Sequence, residues 1–195
     1  GKAWLCGLYQ SSIVLGNKST STNYNVLCEW WAKDVCEHFS NQLPDGKKVH
    51  FFVSQAAYRA VDGGFSEGIS EIQKQITANR KNLSSGSTGS VFYNTKSYRQ
   101  MATDLAASHF IYKALPPAMD WKSNTALAAP TNLTVSGSTL SWQHATAERF
   151  TVYVYPKGTS LETAKTNPAY LKGIVYGNNY SVSGIDLNSN CVAVY

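Results

Sequence analysis

Charge is scarce in this chain: Asp, Glu, Lys and Arg together make up 15% of its 195 residues. The formal excess of +5 is scattered, with Lys47-Lys48 and Arg80-Lys81 the only adjacent basic pairs. It forms no basic stripe of the kind that follows a phosphate backbone, so nucleic acid is not expected as a partner. No run of about 18 apolar residues occurs, so no transmembrane helix is expected. The cysteines Cys6, Cys28, Cys36 and Cys191 show no C-x-x-C spacing. Cys28 and Cys36 fall on one expected helix, about 12 Å apart along its axis, beyond the reach of a disulfide. They read as small apolar core residues. Metal ligation is equally unsupported: Cys36 and His38 point to different helix faces, and His50, His109 and His144 stand alone. Neither a metal nor another cofactor is expected. The chain also has no Gly-x-Ser-x-Gly elbow, no phosphate loop and no dinucleotide fingerprint, which leaves serine hydrolysis, phosphoryl transfer and hydride transfer without support. N-x-S/T triplets begin at Asn17, Asn82, Asn132 and Asn179, as chance supplies in a chain this rich in Asn, Ser and Thr.

Aromatic residues, by contrast, reach 12%, and Asn, Ser and Thr fill much of the polar remainder. Planar rings and neutral hydrogen-bonding groups suit proteins that handle sugars outside the cytoplasm, which points to the periplasm, the cell surface or secretion. The opening Gly1-Lys2-Ala3-Trp4 enters a strand almost directly, and Gly1 reads as a processing scar with natural sequence expected upstream.

Hydrophobic periodicity divides the chain in two. Trp4 to Gln10 reads as a buried strand. A helix follows from an N-cap at Asn23 through Val26, Leu27, Trp30, Trp31, Val35 and Phe39, with at most one of the two adjacent tryptophans facing the sheet. Val49 to Val53 is a β-rich run of the sort covered on both faces in a parallel sheet. A second helix starts near Ser66 and carries Ile69, Ile72, Ile76 and Leu83. Gly89 to Tyr93 makes a third strand, and Ser97 to Lys113 a third helix through Met101 and Leu105. The order predicts parallel βα units with right-handed crossovers over residues 1–121, followed by a linker over 122–129.

Residues 130–195 read as strands alone. Leu133 and Val135, a Gly-Ser turn, then Leu140 and Trp142 make a tight pair, followed by Arg149 to Tyr155, Leu171 to Tyr176, Tyr180 to Ile185 and Cys191 to Tyr195. This pattern resembles a fibronectin type III sandwich with Trp142 in its core and its last strand missing, so either that strand lies downstream or an edge is open.

The first half also resembles a family. Leu8-Tyr9-Gln10, Asn23-Tyr24-Asn25-Val26-Leu27 leading into Trp30-Trp31-Ala32, Phe52-Val53-Ser54-Gln55-Ala56-Ala57-Tyr58, Ile72-Gln73-Lys74-Gln75-Ile76, Gly89-Ser90-Val91-Phe92-Tyr93 and Ala114-Leu115-Pro116-Pro117-Ala118 resemble, in order, the C-terminal third of the glycosyl hydrolase-like 10 family. The resemblance covers roughly residues 4 to 120. It implies the last three units of a (β/α)8 barrel from a bacterial envelope, some of whose members act on peptidoglycan glycan strands. One departure stands out: Cys6-Gly7-Leu8-Tyr9 replaces the family's Pro-Gln-x-Tyr, so the sugar contact of that glutamine does not transfer.

Barrel enzymes place chemistry at the C-terminal ends of their strands, which here present Tyr9 and Gln10, Ser54 and Gln55, and Tyr93 and Asn94. Tyr9, Gln10, Gln55, Tyr58, Tyr93 and Asn94 are the candidate glycan-binding residues; the tyrosines have a second reading as rings packed on helices with surface hydroxyls. Glycosidases need two carboxyl groups about 5 to 9.5 Å apart, and none of these strand ends supplies one. Asp62 and Glu67, in the loop after the second strand, are the weak catalytic candidates. Their plainer reading is a turn for Asp62 and helix-dipole stabilisation for Glu67. The catalytic pair is expected upstream, which leaves the chain by itself inactive. The competing reading is a non-catalytic carbohydrate-binding or adhesion protein. Open sheet edges at the strands beginning at Trp4 and Gly89 predict self-association, unless helices and linker cap them.

Overall fold

The computed structural model describes residues 5–10, 23–35, 40–42, 50–82, 87–116 and 125–195. The chain divides into two compact units, Gly1–Ile111 with Pro117–Ser123, and Tyr112–Pro116 with Asn124–Tyr195. The fold is mixed α/β, built on one parallel sheet and two antiparallel sheets, and no barrel closes among the described residues.

In the first unit, strands β1 (Leu5–Gln10), β2 (His50–Gln55) and β3 (Ser87–Phe92) pair in parallel in the order β1-β2-β3. Alternation along β2 sends Phe51, Val53 and Gln55 into the interior and leaves His50, Phe52 and Ser54 partly exposed. Among the described residues, the helices that pack on this sheet meet the face that carries Phe51, Val53 and Phe92. Helix α1 (Tyr24–Trp30) begins at Asn23, whose side chain accepts from the Val26 N–H at 3.3 Å, the expected cap. It continues as a π-helical turn over Trp31–Val35. The expected extension to Phe39 lies outside the described residues. Tyr24, Cys28 and Ala32 pack on Phe51, Val53 and Ala78. Trp31 stacks on Phe51, with centroids 6.3 Å apart, whereas Trp30 stays about half exposed.

Two helix boundaries differ from expectation. A short helix α2 (Ala57–Val61) follows β2 directly, and α3 runs Ile69–Lys81, with Gly68 rather than Ser66 at its cap. The intervening turn is pinned by Phe65, which is buried, and by Arg59, which donates to the Gly64 carbonyl at 2.9 Å and lies over the Phe65 ring. Helix α4 spans Thr95–Ser108. It stops short of Lys113 because the His109 and Phe110 N–H groups both turn back to the Leu105 carbonyl, each at 2.8 Å, and Phe110 folds edge-on against Phe92. Ile72, Ile76, Met101 and Leu105 fill the core between α3 and α4. Burial of each such side chain contributes about 1.5–3 kcal/mol.

The second unit contains six strands: β4 (Thr131–Ser136), β5 (Thr139–Gln143), β6 (Arg149–Pro156), β7 (Leu171–Tyr176), β8 (Asn179–Ser181) and β9 (Asn190–Val194). They form two antiparallel sheets ordered β4-β5-β8 and β7-β6-β9. Leu140, Trp142, Phe150, Val152 and Val182 make the core between them. Tyr180 of one sheet lies so close over Gly173 of the other that a Cβ there would meet its Cε2 at 2.7 Å, which explains the glycine in mid-strand. β8 ends at Ser181 because Val182 accepts a turn bond from the Ile185 N–H at 3.0 Å and Gly184 takes φ +76°. Helix α5 (Leu161–Thr166) and a 3₁₀ turn (Pro168–Tyr170), neither of them expected, cover the outer face of β6 through Ala164, Tyr153 and Tyr155. Leu133 and Val135 do not enter the core: β4 is exposed throughout, and its pairing is interrupted where Asn132 adopts φ 53°.

Candidate functional site

The C-terminal ends of β2 and β3 are tied together by the residues just beyond them. The Tyr93 N–H donates to the Gln55 carbonyl at 2.9 Å, and the Tyr93 carbonyl accepts from the Tyr58 N–H at 3.2 Å. This backbone clamp fixes two rings at one corner, Tyr58 and Tyr93, with centroids 6.1 Å apart and planes at 88°. Tyr58 is anchored against the helix core, while Tyr93 is 52% exposed. A rigidly mounted, half-exposed ring beside a second ring offers a flat apolar surface and two hydroxyl groups at little entropic cost. Ser54 stands on the face that the helices leave open, with the 45% exposed Val91 as its register partner. By register Tyr9 falls beside Ser54 and Gln10 beside Gln55.

Gln55 and Asn94 sit apart from that corner. The Asn94 side chain accepts from the Ser97 N–H at 3.0 Å and from its hydroxyl at 3.2 Å, capping α4. Gln55 faces the helices, only 1% exposed, in a buried polar network. There the Tyr24 hydroxyl donates to Asn79 Oδ1 at 2.8 Å, the Asn79 amide donates to Ser90 Oγ at 3.0 Å, and Gln55 Nε2 donates to the same oxygen at 3.2 Å. Gln55 Oε1 has no hydrogen-bond partner among the described residues.

The two loop carboxylates are engaged elsewhere. Asp62 Oδ1 accepts from the Gly64 N–H at 2.9 Å, as a turn residue does. Glu67 pairs with Lys74 and lies before the α3 cap instead of in the helix's first turn. Sequence reasoning overlooked Glu71, a carboxyl only 3% exposed in that first turn, which accepts from Gln75 Nε2 at 2.9 Å. Glu71, Gln75 and Asn79 recur every fourth residue, so they share one buried stripe. That spacing was the available signal, masked by the habit of assigning polar residues to the surface.

A groove of about 350 Å³ runs along α3, lined by residues including Gln73, Lys74, Thr77, Lys81 and His109. None of the strand-end residues lines it. Burial, with the neighbouring Arg80 charge, lowers the His109 pKa below its ordinary value and keeps the ring neutral near pH 7. Among the described residues no group of His, Cys, Asp and Glu could hold a metal ion, and no helix is long and apolar enough to cross a membrane.

The network also governs thiol chemistry. Burial pushes the Cys28 pKa up to about 11, against a smaller opposing effect of the Tyr24 hydroxyl, so the reactive thiolate is a minor species at about pH 8. Cys28 is therefore expected to resist iodoacetamide under native conditions while the half-buried Cys191 is alkylated, and both react in denaturant. Peptide mass spectrometry reads the difference. Equal native labelling would show that the network opens readily.

Comparison with known protein families, curated proteins and solved structures returns no match for the chain.

Proposed function

We propose that the chain is the C-terminal portion of an envelope-associated or extracellular glycoside hydrolase-like protein, in which one wall of a (β/α)8 barrel holds a stretch of polysaccharide, with peptidoglycan glycan the leading candidate. A fibronectin type III-like module follows that wall. The observation that carries this reading is the single direction of winding. β1, β2 and β3 are neighbours in chain order, and α1, α3 and α4 all pack on the same face. A doubly wound sheet reverses its strand order and covers both faces, whereas a barrel keeps its helices outside and its strand ends at one rim. In this reading the open face bearing Phe52, Ser54 and Val91 looks into the barrel, and the Tyr58–Tyr93 corner stands on the rim that binds sugar. The six-stranded sandwich built around Trp142 supports the module.

The paired carboxyl groups of hydrolysis come, in this reading, from outside the described residues. A specific observation also favours a second reading, a glycan-binding protein without turnover: Asp62 and Glu67 are held by Gly64 and Lys74. Both readings place glycan at the tyrosine corner. The chain is expected to bind soluble peptidoglycan fragments weakly and hydrolyse none. Tyr93→Ala should weaken binding about tenfold, or about 1.4 kcal/mol, of the order expected for one aromatic contact. Calorimetry on the chain and its variant tests this, and an unchanged affinity would remove the corner from the site. Turnover by the chain, lost in Asp62→Ala or Glu67→Ala, would instead return the catalytic acids to this loop.

A further inference from the structure

We propose that Arg59 is the positioning residue of the tyrosine corner: by clasping the turn after α2 it holds the Tyr58 ring against Tyr93 and so sets the affinity of that corner for glycan. The inference rests on the glycan reading for its ligand and on the structure alone for the clasp.

Helix α2 carries Tyr58 but does not hold it unaided. It has five residues and no side-chain bond at its cap, and a helix that short is marginal by itself in water. Its start is tied to the end of β3 by the bond from the Tyr58 N–H to the Tyr93 carbonyl. A single hydrogen bond fixes a point and not a direction, so the ring's orientation depends on what secures the other end. That second tie is the turn over residues 62–65. The Asp62 N–H donates to the Tyr58 carbonyl at 3.0 Å, and the Phe65 N–H to the Arg59 carbonyl at 2.8 Å. The Arg59 guanidinium then reaches across the turn, donating from Nη2 to the Gly64 carbonyl at 2.9 Å and lying over the Phe65 ring, 5.2 Å from its centroid. Asp62 Oδ1 closes the turn from the other side by accepting from the Gly64 N–H at 2.9 Å. Phe65 is 3% exposed and belongs to the apolar cluster on which Tyr58 packs, so the clasp and the tyrosine ring share one base.

Gly64 shows how closely the clasp is fitted. A Cβ there would meet Arg59 Nε at 2.8 Å, Arg59 Cβ at 3.0 Å and Asp62 Oδ1 at 3.0 Å. No larger residue fits beside the guanidinium unless the arginine side chain shifts. The consequence for binding is entropic. A ring fixed before the ligand arrives does not have to be ordered during association, and that ordering is one of the standing costs of recognition.

Arg59→Ala removes the clasp, and Gly64→Ala displaces the same side chain without a change of charge. By calorimetry each should weaken binding of soluble peptidoglycan fragments about fivefold, the penalty for ordering one side chain during association. Arg59→Lys keeps a donor for the Gly64 carbonyl but not the flat group over Phe65, and should recover part of the loss. NMR of the glycan-free chain supplies a readout that general destabilisation does not move. The nuclear Overhauser contact between the Tyr58 and Tyr93 rings should weaken in both alanine variants while the amide signals of β1 to β3 stay in place. An undiminished ring contact in both variants would overturn the clasp, whether or not glycan binds. Unchanged affinity in both, with the unaltered chain binding as expected, would overturn its role at the site. Failure of the unaltered chain to bind would instead count against the glycan reading, and the ring contact would then decide the clasp alone.

Discussion

Trp142→Ala is expected to unfold the antiparallel unit. The indole is 3% exposed in the core between the two sheets, edge-on to Phe150 with centroids 5.4 Å apart. It packs with Leu140, Val152 and Val182, so truncation opens a cavity shared by both sheets. Such a change costs about 3–5 kcal/mol, against about 5–15 kcal/mol of total stability for a typical domain. Near-UV circular dichroism should lose the Trp142 environment, and the thermal transition of this unit should fall steeply or vanish. Trp142→Phe should cost much less, because Trp142 Nε1 is buried without a partner among the described residues and phenylalanine removes that donor together with some packing. A Trp142→Ala loss below about 1 kcal/mol would mean that the two sheets do not share this core.

Asn79→Leu is expected to be nearly as damaging in the parallel unit, although it replaces a polar side chain with an apolar one of similar size. Asn79, 3% exposed, accepts from the Tyr24 hydroxyl at 2.8 Å and the Cys28 thiol at 3.5 Å, and donates to Ser90 Oγ at 3.0 Å. It thereby joins α1, α3 and β3. Leucine leaves the Tyr24 hydroxyl buried without its acceptor, costing about 1–3 kcal/mol, and takes from Ser90 Oγ one of its two donors. Burial foremost, together with the Cys28 thiol, holds the Tyr24 pKa well above its ordinary value, so ionisation offers no escape at neutral pH. The urea midpoint of the helical signal should drop by an amount equivalent to about 3 kcal/mol. A drop equivalent to less than about 1 kcal/mol would show that the stranded groups find other partners.

Strand order and parallel pairing were legible because each βα unit carries its own periodicity: Val49 to Val53 reads as a strand, although the expected cover on both faces is found on one only, and Ile69, Ile72 and Ile76 read as a helix face. Asn23 was legible as a cap because its chemistry is local. The short helix α2 was not, since five residues carry too little period to register. The end of α4 was missed because it depends on a contact from Phe110 to Phe92, distant in sequence. The pattern marked Gln55 as a strand-end group but did not reveal which face it takes. One residue of alternation separates it from Ser54 on the open side, and that choice depends on α1 and α3 covering Phe51 and Val53. Tyr93 was named as a candidate from its strand end and Tyr58 as a ring just beyond the second strand, but their perpendicular contact arises from backbone bonds that cross between two βα units.

The central claim is that the rim of the parallel sheet, and not the sandwich, meets the glycan. Titrating the isotopically labelled chain with soluble peptidoglycan glycan fragments tests it directly through backbone amide shifts. The account predicts shifts that saturate in the millimolar range, centred on Ser54, Tyr58, Val91 and Tyr93, with the amides of β4 to β9 unmoved. Shifts confined to the sandwich, or none anywhere at saturating glycan, would contradict it.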